Sequence, residues 1–200
     1  MKINLIKTNK DEYRATTKPI LVDVKPAHYI AIDGIGEPGG SAFEEKIAPL
    51  YAMAYALKFA GKAAGRDYIV SKLEGLYGID DQLASNMESV PRDQWKWRLL
   101  IRQPDFVDDS VVNEVRDKLR SKGKEGDFDA VRLIEIDEGL CVQTLHVGPY
   151  GEIESPLDAM HAFVSSEGHE LHGWHHEIYL SDPRRVPPER LRTLLRLQVK

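Results

Sequence analysis

The sequence predicts an α+β fold built of two similar halves. Three observations predict it. One order of elements occurs twice: strand, Gly/Pro-rich loop, helix, strand. Apolar residues alternate at period two in the strand segments. After each loop they recur at helical spacing. At 200 residues and 42% hydrophobic, the chain can fill one substantial core or two small fused ones.

In the first half, Ala27 to Asp33 alternates and is rich in β-formers, so it reads as a strand. Four glycines and a proline between Gly34 and Gly40 must end it. Ser41 fits an N-cap with Glu44 as capping-box partner, and Phe43, Ile47, Leu50, Ala54 and Leu57 form the inner stripe of a helix. Pro49 should kink or restart that helix. Tyr68 to Leu76 reads as the next strand, and Ile79 to Gln94 as a loop over the first half. From Trp95 to Arg102 the alternation returns, with Trp95, Trp97, Leu99 and Ile101 on one face.

Asp109 to Lys122 is predicted as a connecting helix with Val112, Val115 and Leu119 inward and a basic last turn. The second half opens at Ala130 to Val147 with an expected hairpin turning at Asp137-Glu138-Gly139. Gly148-Pro149-Tyr150-Gly151 closes that segment. Ser155-Pro156 starts a helix carrying Leu157, Met160, Phe163 and Val164. Trp174 to Leu180 is a strand, and Thr193 to Val199 the last one.

Charge and composition exclude several function classes. A net charge of -5 argues against nucleic-acid binding, which needs a basic face. No apolar run approaches the roughly 18 residues of a membrane-spanning helix, and the N-terminus turns polar at once, so no secretory signal is expected. A lone cysteine, Cys141, cannot close an internal disulfide; a cytoplasmic protein is the simplest expectation.

Three short motifs suggest chemistry that the residues do not support. Gly34-x-Gly36-x-x-Gly39 sits where a dinucleotide fingerprint would sit. Glu37 would oppose a pyrophosphate there, Pro38 removes a donor, and no acid follows at the required distance. A tight loop needing positive φ explains it. His169, His172, His175 and His176 are clustered, but His169 and His172 miss the zinc-protease spacing by one residue. His175 and His176 are adjacent in a strand and point to opposite faces. No metal and no cofactor is expected. Cys141 lies mid-strand with no basic neighbour, which fits a buried inert thiol.

The remaining signal is a pair of carboxylates among aromatics. In the strand Trp174 to Leu180, His175, Glu177 and Tyr179 share one face, and Trp174, His176, Ile178 and Leu180 share the other, which reads as core. Glu74 is expected on the matching strand of the first half, followed by Tyr77. Tyr51 and Tyr55 on one covering helix, Met160 and Phe163 on the other, and Trp95 and Trp97 complete a ring-lined surround. A carboxylate in such a cage can neutralise a lipophilic cation stacked on the rings. It can equally serve as a general base. The same pattern also fits an open sheet on which Glu74 and Glu177 face solvent and the aromatics are ordinary core.

Several of these segments carry a family resemblance. Leu145-His146-Val147-Gly148-Pro149-Tyr150 and His175-His176-Glu177-Ile178-Tyr179-Leu180-Ser181-Asp182-Pro183 resemble the GyrI-like small-molecule-binding family. So do Tyr29 to Gly34, Leu50 to Tyr55, Leu73-Glu74-Gly75-Leu76 and Trp95 to Phe106. The resemblance runs from about residue 18 to 200. It implies two strand–helix–strand–strand modules related by a pseudo-two-fold, with a central ligand cleft. Within a single domain over 1–200, the first module spans about 18–103, the connector about 109–122 and the second module about 130–200. The family is similar to the effector domains of multidrug-sensing regulators, where a buried glutamate amid aromatics receives bulky aromatic, often cationic, ligands; that glutamate maps onto Glu177. Some stand-alone members hydrolyse the cyclopropane ring of DNA-alkylating natural products. With about 17 residues before the domain and no helix-turn-helix segment, this chain is expected to be a stand-alone member. Related members often carry aromatics directly after the Glu-Gly-Leu turn, whereas Tyr77-Gly78 stands here, which leaves the size of the substrate open.

The expected partner is therefore a bulky, planar, hydrophobic small molecule. In a hydrolytic version, Glu177 or Glu74 activates water and Tyr179 receives the developing oxyanion. Tyr51, Tyr55, Tyr77, Trp95, Trp97, His175, Met160 and Phe163 line the ligand. The alternatives are sequestration or effector binding without turnover, or modulation of a topoisomerase.

Overall fold

A computed structural model describes residues 2–14, 16–79 and 90–200. Its helices are α1 (Leu5–Thr8), α2 (Ser41–Ala63), α3 (Asp109–Ser121) and α4 (Glu154–Ser166). Its strands are β1 (Ile20–Val24), β2 (Ala27–Ile35), β3 (Leu73–Gly78), β4 (Lys96–Arg102), β5 (Arg132–Ile136), β6 (Gly139–Val147), β7 (Leu171–Tyr179) and β8 (Arg192–Val199). All eight strands form one antiparallel sheet in the order β1-β6-β8-β7-β3-β4-β2-β5.

That order contains two copies of one module. β2-α2-β3-β4 gives the neighbours β3-β4-β2, and β6-α4-β7-β8 gives β7-β8-β6. The copies meet where β3 pairs with β7, and Gly75 lies opposite Glu177 at the middle of that seam. Two residues further along each strand stand Tyr77 and Tyr179, so the pseudo-dyad relates the two phenols.

The expected hairpin over 130–147 does not form. β5 pairs with β2 of the first module, and β6 pairs with β1 and β8. Asp137-Glu138 marks a bend between two strands, with Gly139 at φ 61, not a reversal of the chain. β1 and β2 bend likewise at Lys25-Pro26. The two bent arms run antiparallel to each other in one register, Val24 opposite Gly139 before the bend and Ala27 opposite Ile136 after it. Both ends of the sheet order are therefore joined through two-residue links, and the sheet curls until they meet.

Helices cover one face of this curl. α2 buries Phe43, Leu50, Met53, Ala54 and Leu57 against β2 and β4, and α3 adds Val112 and Val115. α4 buries Met160 and Val164 against β6, with Val142, Leu195 and Leu197 beneath. The Asp108 side chain caps α3 by accepting from Val111 N–H at 2.9 Å. Gly40, not Ser41, occupies the N-cap of α2, so the anticipated capping box is absent. α2 also runs through Pro49 as one 23-residue helix without restarting. β3 begins at Leu73, not Tyr68: residues 68–72 make only an isolated bridge, Tyr68 to Ile3, because the N-terminal segment occupies that edge. The expected loop over 79–94 lies mostly on residues 80–89, outside the described residues.

Gly36 (φ 128) and Gly39 (φ 82) do adopt the left-handed conformations that the tight loop requires. Gly34 has another task. A Cβ there would sit 2.0 Å from the Trp97 ring, which lies across it from β4.

Candidate functional site

Strand pairing decides which side chains can meet, since residues directly opposite share a face. Glu177 is opposite Gly75 on one side and Leu195 on the other. His175 is opposite Tyr77, and Tyr179 is opposite Thr193. All of these lie on the helix-covered face, over the two central strands and between the regions that α2 and α4 pack on. Glu74 is opposite Ile178 and Leu100, which puts it on the other face. The two carboxylates expected in one hollow are thus separated by the thickness of the sheet. A glycine, Gly75, occupies the position on β3 that would have brought a second acid beside Glu177.

On the helix side, the Glu177 side chain is 11% exposed. His175 Nε2 donates to Glu177 Oε1 at 3.2 Å. Among the described residues no lysine or arginine pairs with this carboxylate. Tyr77 folds back over Gly75, where a Cβ would lie 2.7 Å from the Tyr77 hydroxyl; only a glycine leaves the ring that place. The Tyr77 and Tyr179 hydroxyls are hydrogen-bonded to each other across the seam. Burial pushes both phenols well above their ordinary range, and the charge on Glu177 pushes them further. At neutral pH both therefore keep their protons and can donate.

Tyr150, which the sequence reading did not place here, lies beside Tyr179. Its ring meets Tyr179 edge-on at 5.4 Å. Burial raises its pKa, and the Glu177 charge adds to this. The motif His146-x-Gly148-Pro149-Tyr150 explains the placement. The His146 ring nitrogen Nε2 bonds the Pro149 carbonyl at 2.9 Å, and Gly148 turns at φ 146, so the turn holds Tyr150 at the end of β6. The signal was visible as a family motif but not as a neighbour of Tyr179.

Tyr51 and Tyr55 stack at 6.3 Å on α2, Tyr51 half-buried and Tyr55 half-exposed. Asp182 and Arg184, in the turn after β7, reach Tyr51 electrostatically, and Asp182 also reaches Tyr150. That turn links the two aromatic walls at the rim. Tyr77, Tyr179, His175 and Glu177 thus lie together at the seam, with Tyr150 against Tyr179 and the Tyr51–Tyr55 pair on α2.

Four further expected lining residues are placed in the module cores. Trp97 is fully buried, edge-on to Phe43 at 5.0 Å, with its indole N–H on the Gly36 carbonyl at 3.2 Å. Trp95 is partly buried against the same core and donates to the Val90 carbonyl at 3.0 Å. Met160 is fully buried beneath α4, and Phe163 packs beside it. Their spacing reflected core packing as much as a ligand wall.

The opposite face holds a different structure. Glu74 Oε2 faces His176 Nε2 at 3.1 Å, and His176 Nδ1 faces Glu138 Oε1 at 2.9 Å. Arg196 Nη1 reaches Glu138 at 2.7 Å and Arg196 Nη2 the Glu12 carbonyl at 2.6 Å. Arg102 Nη1 pairs with Glu12 at 2.6 Å and with the Tyr13 hydroxyl, which returns to Glu74 at 3.3 Å. With a carboxylate on each ring nitrogen, His176 is doubly protonated. Burial opposes this, but the two glutamates prevail and raise its pKa to about 9. Three carboxylates then balance two guanidinium groups and one imidazolium. His176, expected in an apolar core, is instead the centre of this network, because Glu138 and Glu12 arrive from bends and segments far away in the chain.

Cys141 is buried and free, and burial pushes its thiol up. Among the described residues no group of three metal-ligating side chains converges, and no helix is long and apolar enough to cross a membrane.

A duplicated antiparallel sheet with a buried acid at its pseudo-dyad, and aromatics nearby on α2 and in the turn after β6, fits a small-molecule-binding protein. A family model described as the GyrI-like small molecule binding domain matches residues 105–200. The chain is 35% identical to an uncharacterized conserved protein from Listeria innocua, each covered over 100% of its length, with a TM-score of 0.91. A hydrolase structure from the same organism is also 35% identical over 100% of both chains, with a TM-score of 0.88. The C-terminal domain of EcmrR shares the fold at 14% identity, covering 92% of this chain and 97% of that one, with a TM-score of 0.60. The curated proteins contain no match. The chain belongs to the GyrI-like small-molecule-binding family.

Proposed function

We propose that this protein binds bulky, planar, hydrophobic and often cationic aromatic compounds over the β3–β7 seam. We further propose that it hydrolyses members of that class that carry a strained cyclopropane ring, and so protects the cytoplasm from DNA alkylators. One observation carries the reading: a carboxylate almost out of water, Glu177, faces phenols and an imidazole, and no lysine or arginine among the described residues pairs with it. A buried charge without a cation is costly and is relieved by a cationic ligand or by a proton. The hydrolase name of a Listeria innocua structure 35% identical to this chain supports turnover.

In the hydrolytic step, the Glu177 charge draws a proton from water. The water oxygen bonds to a ring carbon, and the strained C–C bond breaks. Its electron pair passes to the conjugated carbonyl oxygen. The Tyr179 hydroxyl, hydrogen-bonded at rest to Tyr77 and Glu177, turns its proton to that oxygen as charge builds there. Tyr150 and Tyr51 stack on the aromatic system. Glu74 takes no part in this step.

Incubation with a cyclopropane-bearing alkylator, read by mass spectrometry, should yield a product heavier by one water, and Glu177→Gln should lose it. Tight binding with an unchanged ligand would instead establish sequestration, the second reading.

A further inference from the structure

His175 and His176 are consecutive, both buried, and each touches a glutamate, yet their hydrogen-bonding states differ. Both nitrogens of His176 are satisfied. His175 has one satisfied nitrogen. Its Nε2 faces a carboxylate oxygen, which can only accept, so Nε2 carries the proton. In the neutral ring, Nδ1 then presents a bare lone pair. That atom is buried and has no hydrogen-bond partner among the described residues. Unpaired buried acceptors are rare because dehydration without a partner is costly. The hydroxyl of Thr193, opposite Tyr179 on the same face, is likewise buried and unpartnered among the described residues. Two orphaned polar atoms therefore flank Glu177 and Tyr179 on the face where the ligand is placed.

The Tyr77 ring lies beside the imidazole, ring centres 6.4 Å apart and planes tilted by 34°. An imidazole held at one nitrogen by a carboxylate, with the other nitrogen left as an acceptor, is the arrangement of a general base whose tautomer is fixed from behind.

We propose that His175 and Glu177 act as one unit, in which Glu177 fixes the imidazole tautomer and His175 Nδ1 takes the proton of the attacking water. This rests on the hydrolytic reading above and changes the role of Glu177 within it, from acceptor to orienting group. A water O–H bond breaks and its proton passes to Nδ1. The oxygen forms the new C–O bond, and the ring C–C pair moves to the carbonyl oxygen beside Tyr179. The proton on the imidazolium leaves to that oxygen or to solvent as product departs.

The test has two arms. In the first, His175→Ala and His175→Asn are assayed for turnover of a cyclopropane-bearing alkylator and for binding of ethidium as a planar cationic probe. Both variants should bind ethidium and lose turnover by roughly 10²–10⁴. Added imidazoles should restore His175→Ala, with rates that rise with the basicity of the added ring. A missing or basicity-independent rescue in a variant that still binds ethidium overturns the inference and leaves Glu177-driven hydrolysis standing. A wild type that binds ethidium but turns nothing over defeats hydrolysis itself, and the inference with it. In the second arm, nitrogen NMR of the free protein should show His175 protonated at Nε2 and bare at Nδ1; a ring protonated at Nδ1 overturns it.

Discussion

Glu74 and Glu177 stand on neighbouring strands, one register step apart, and both are buried. Glu74 shares its face with Arg102, His176 and the Tyr13 hydroxyl, and every charge there has an opposite. Glu177 shares its face with phenols, the His175 imidazole and a threonine, and among the described residues no guanidinium offsets it. The difference teaches that burial of an acid does not by itself mark a site. An acid whose neighbours already neutralise it belongs to the architecture. An acid whose neighbours donate hydrogen bonds but bring no cation is poised for a ligand.

The largest expected effects come from swapping each acid for its amide. Glu177→Gln should abolish turnover and weaken binding of cationic dyes, while its urea midpoint stays near that of wild type. Glu74→Gln should do the reverse. Breaking a buried pair by removing one partner costs about 3–5 kcal/mol, so its midpoint should fall sharply, while dye affinity per folded molecule holds. Equal loss of dye affinity in both variants would erase the distinction. Next in size, Tyr179→Phe should slow turnover about 10²-fold, the usual cost of removing one oxyanion donor, with little change in dye binding.

The two faces should also respond differently to pH. The folded-state pKa of His176, about 9, lies above its unfolded value of 6.5. Its contribution to stability is fully present below pH 6.5 and is lost as pH rises through 9. Glu138 is lowered to about 2 from 4.5, so its contribution holds above 4.5 and is lost as pH falls through 2. Urea denaturation from pH 6 to pH 10 should show stability falling across that range in wild type and in Glu177→Gln alike. In His176→Gln the alkaline loss should disappear. The smallest effect is at the rim. Tyr150→Leu removes an edge-on ring pair worth about 0.5–1.5 kcal/mol, and should raise the Kd of planar dyes several-fold at unchanged stability.

Local pattern carried much of this structure. The duplicated order of elements, the faces of β7 and the inert placement of Cys141 were legible because each depends on residues near in sequence. The relation of Glu74 to Glu177 was not. It depends on which residue of β3 lies opposite which residue of β7, and alternation within one strand cannot reveal a partner strand's register. Asp137-Glu138-Gly139 looked like a hairpin for a similar reason: a turn signal marks a change of direction, not its angle. The network around His176 was invisible because Glu12, Arg102, Glu138 and Arg196 are far apart in the chain, and ion pairs leave no periodicity. Trp97 and Met160 read as ligand walls because apolar rings and thioethers suit a core equally well.

The bent arms at Lys25-Pro26 and Asp137-Glu138 carry one last implication. Each half of the protein lends its outermost strand to the other half, so neither can complete its own β-layer. Partners such as Ala27 and Ile136 must find each other across more than half the chain, which makes folding slow for a protein of this size. It also means that the seam between the halves, the proposed floor for a ligand, cannot come apart while those crossed arms remain clasped.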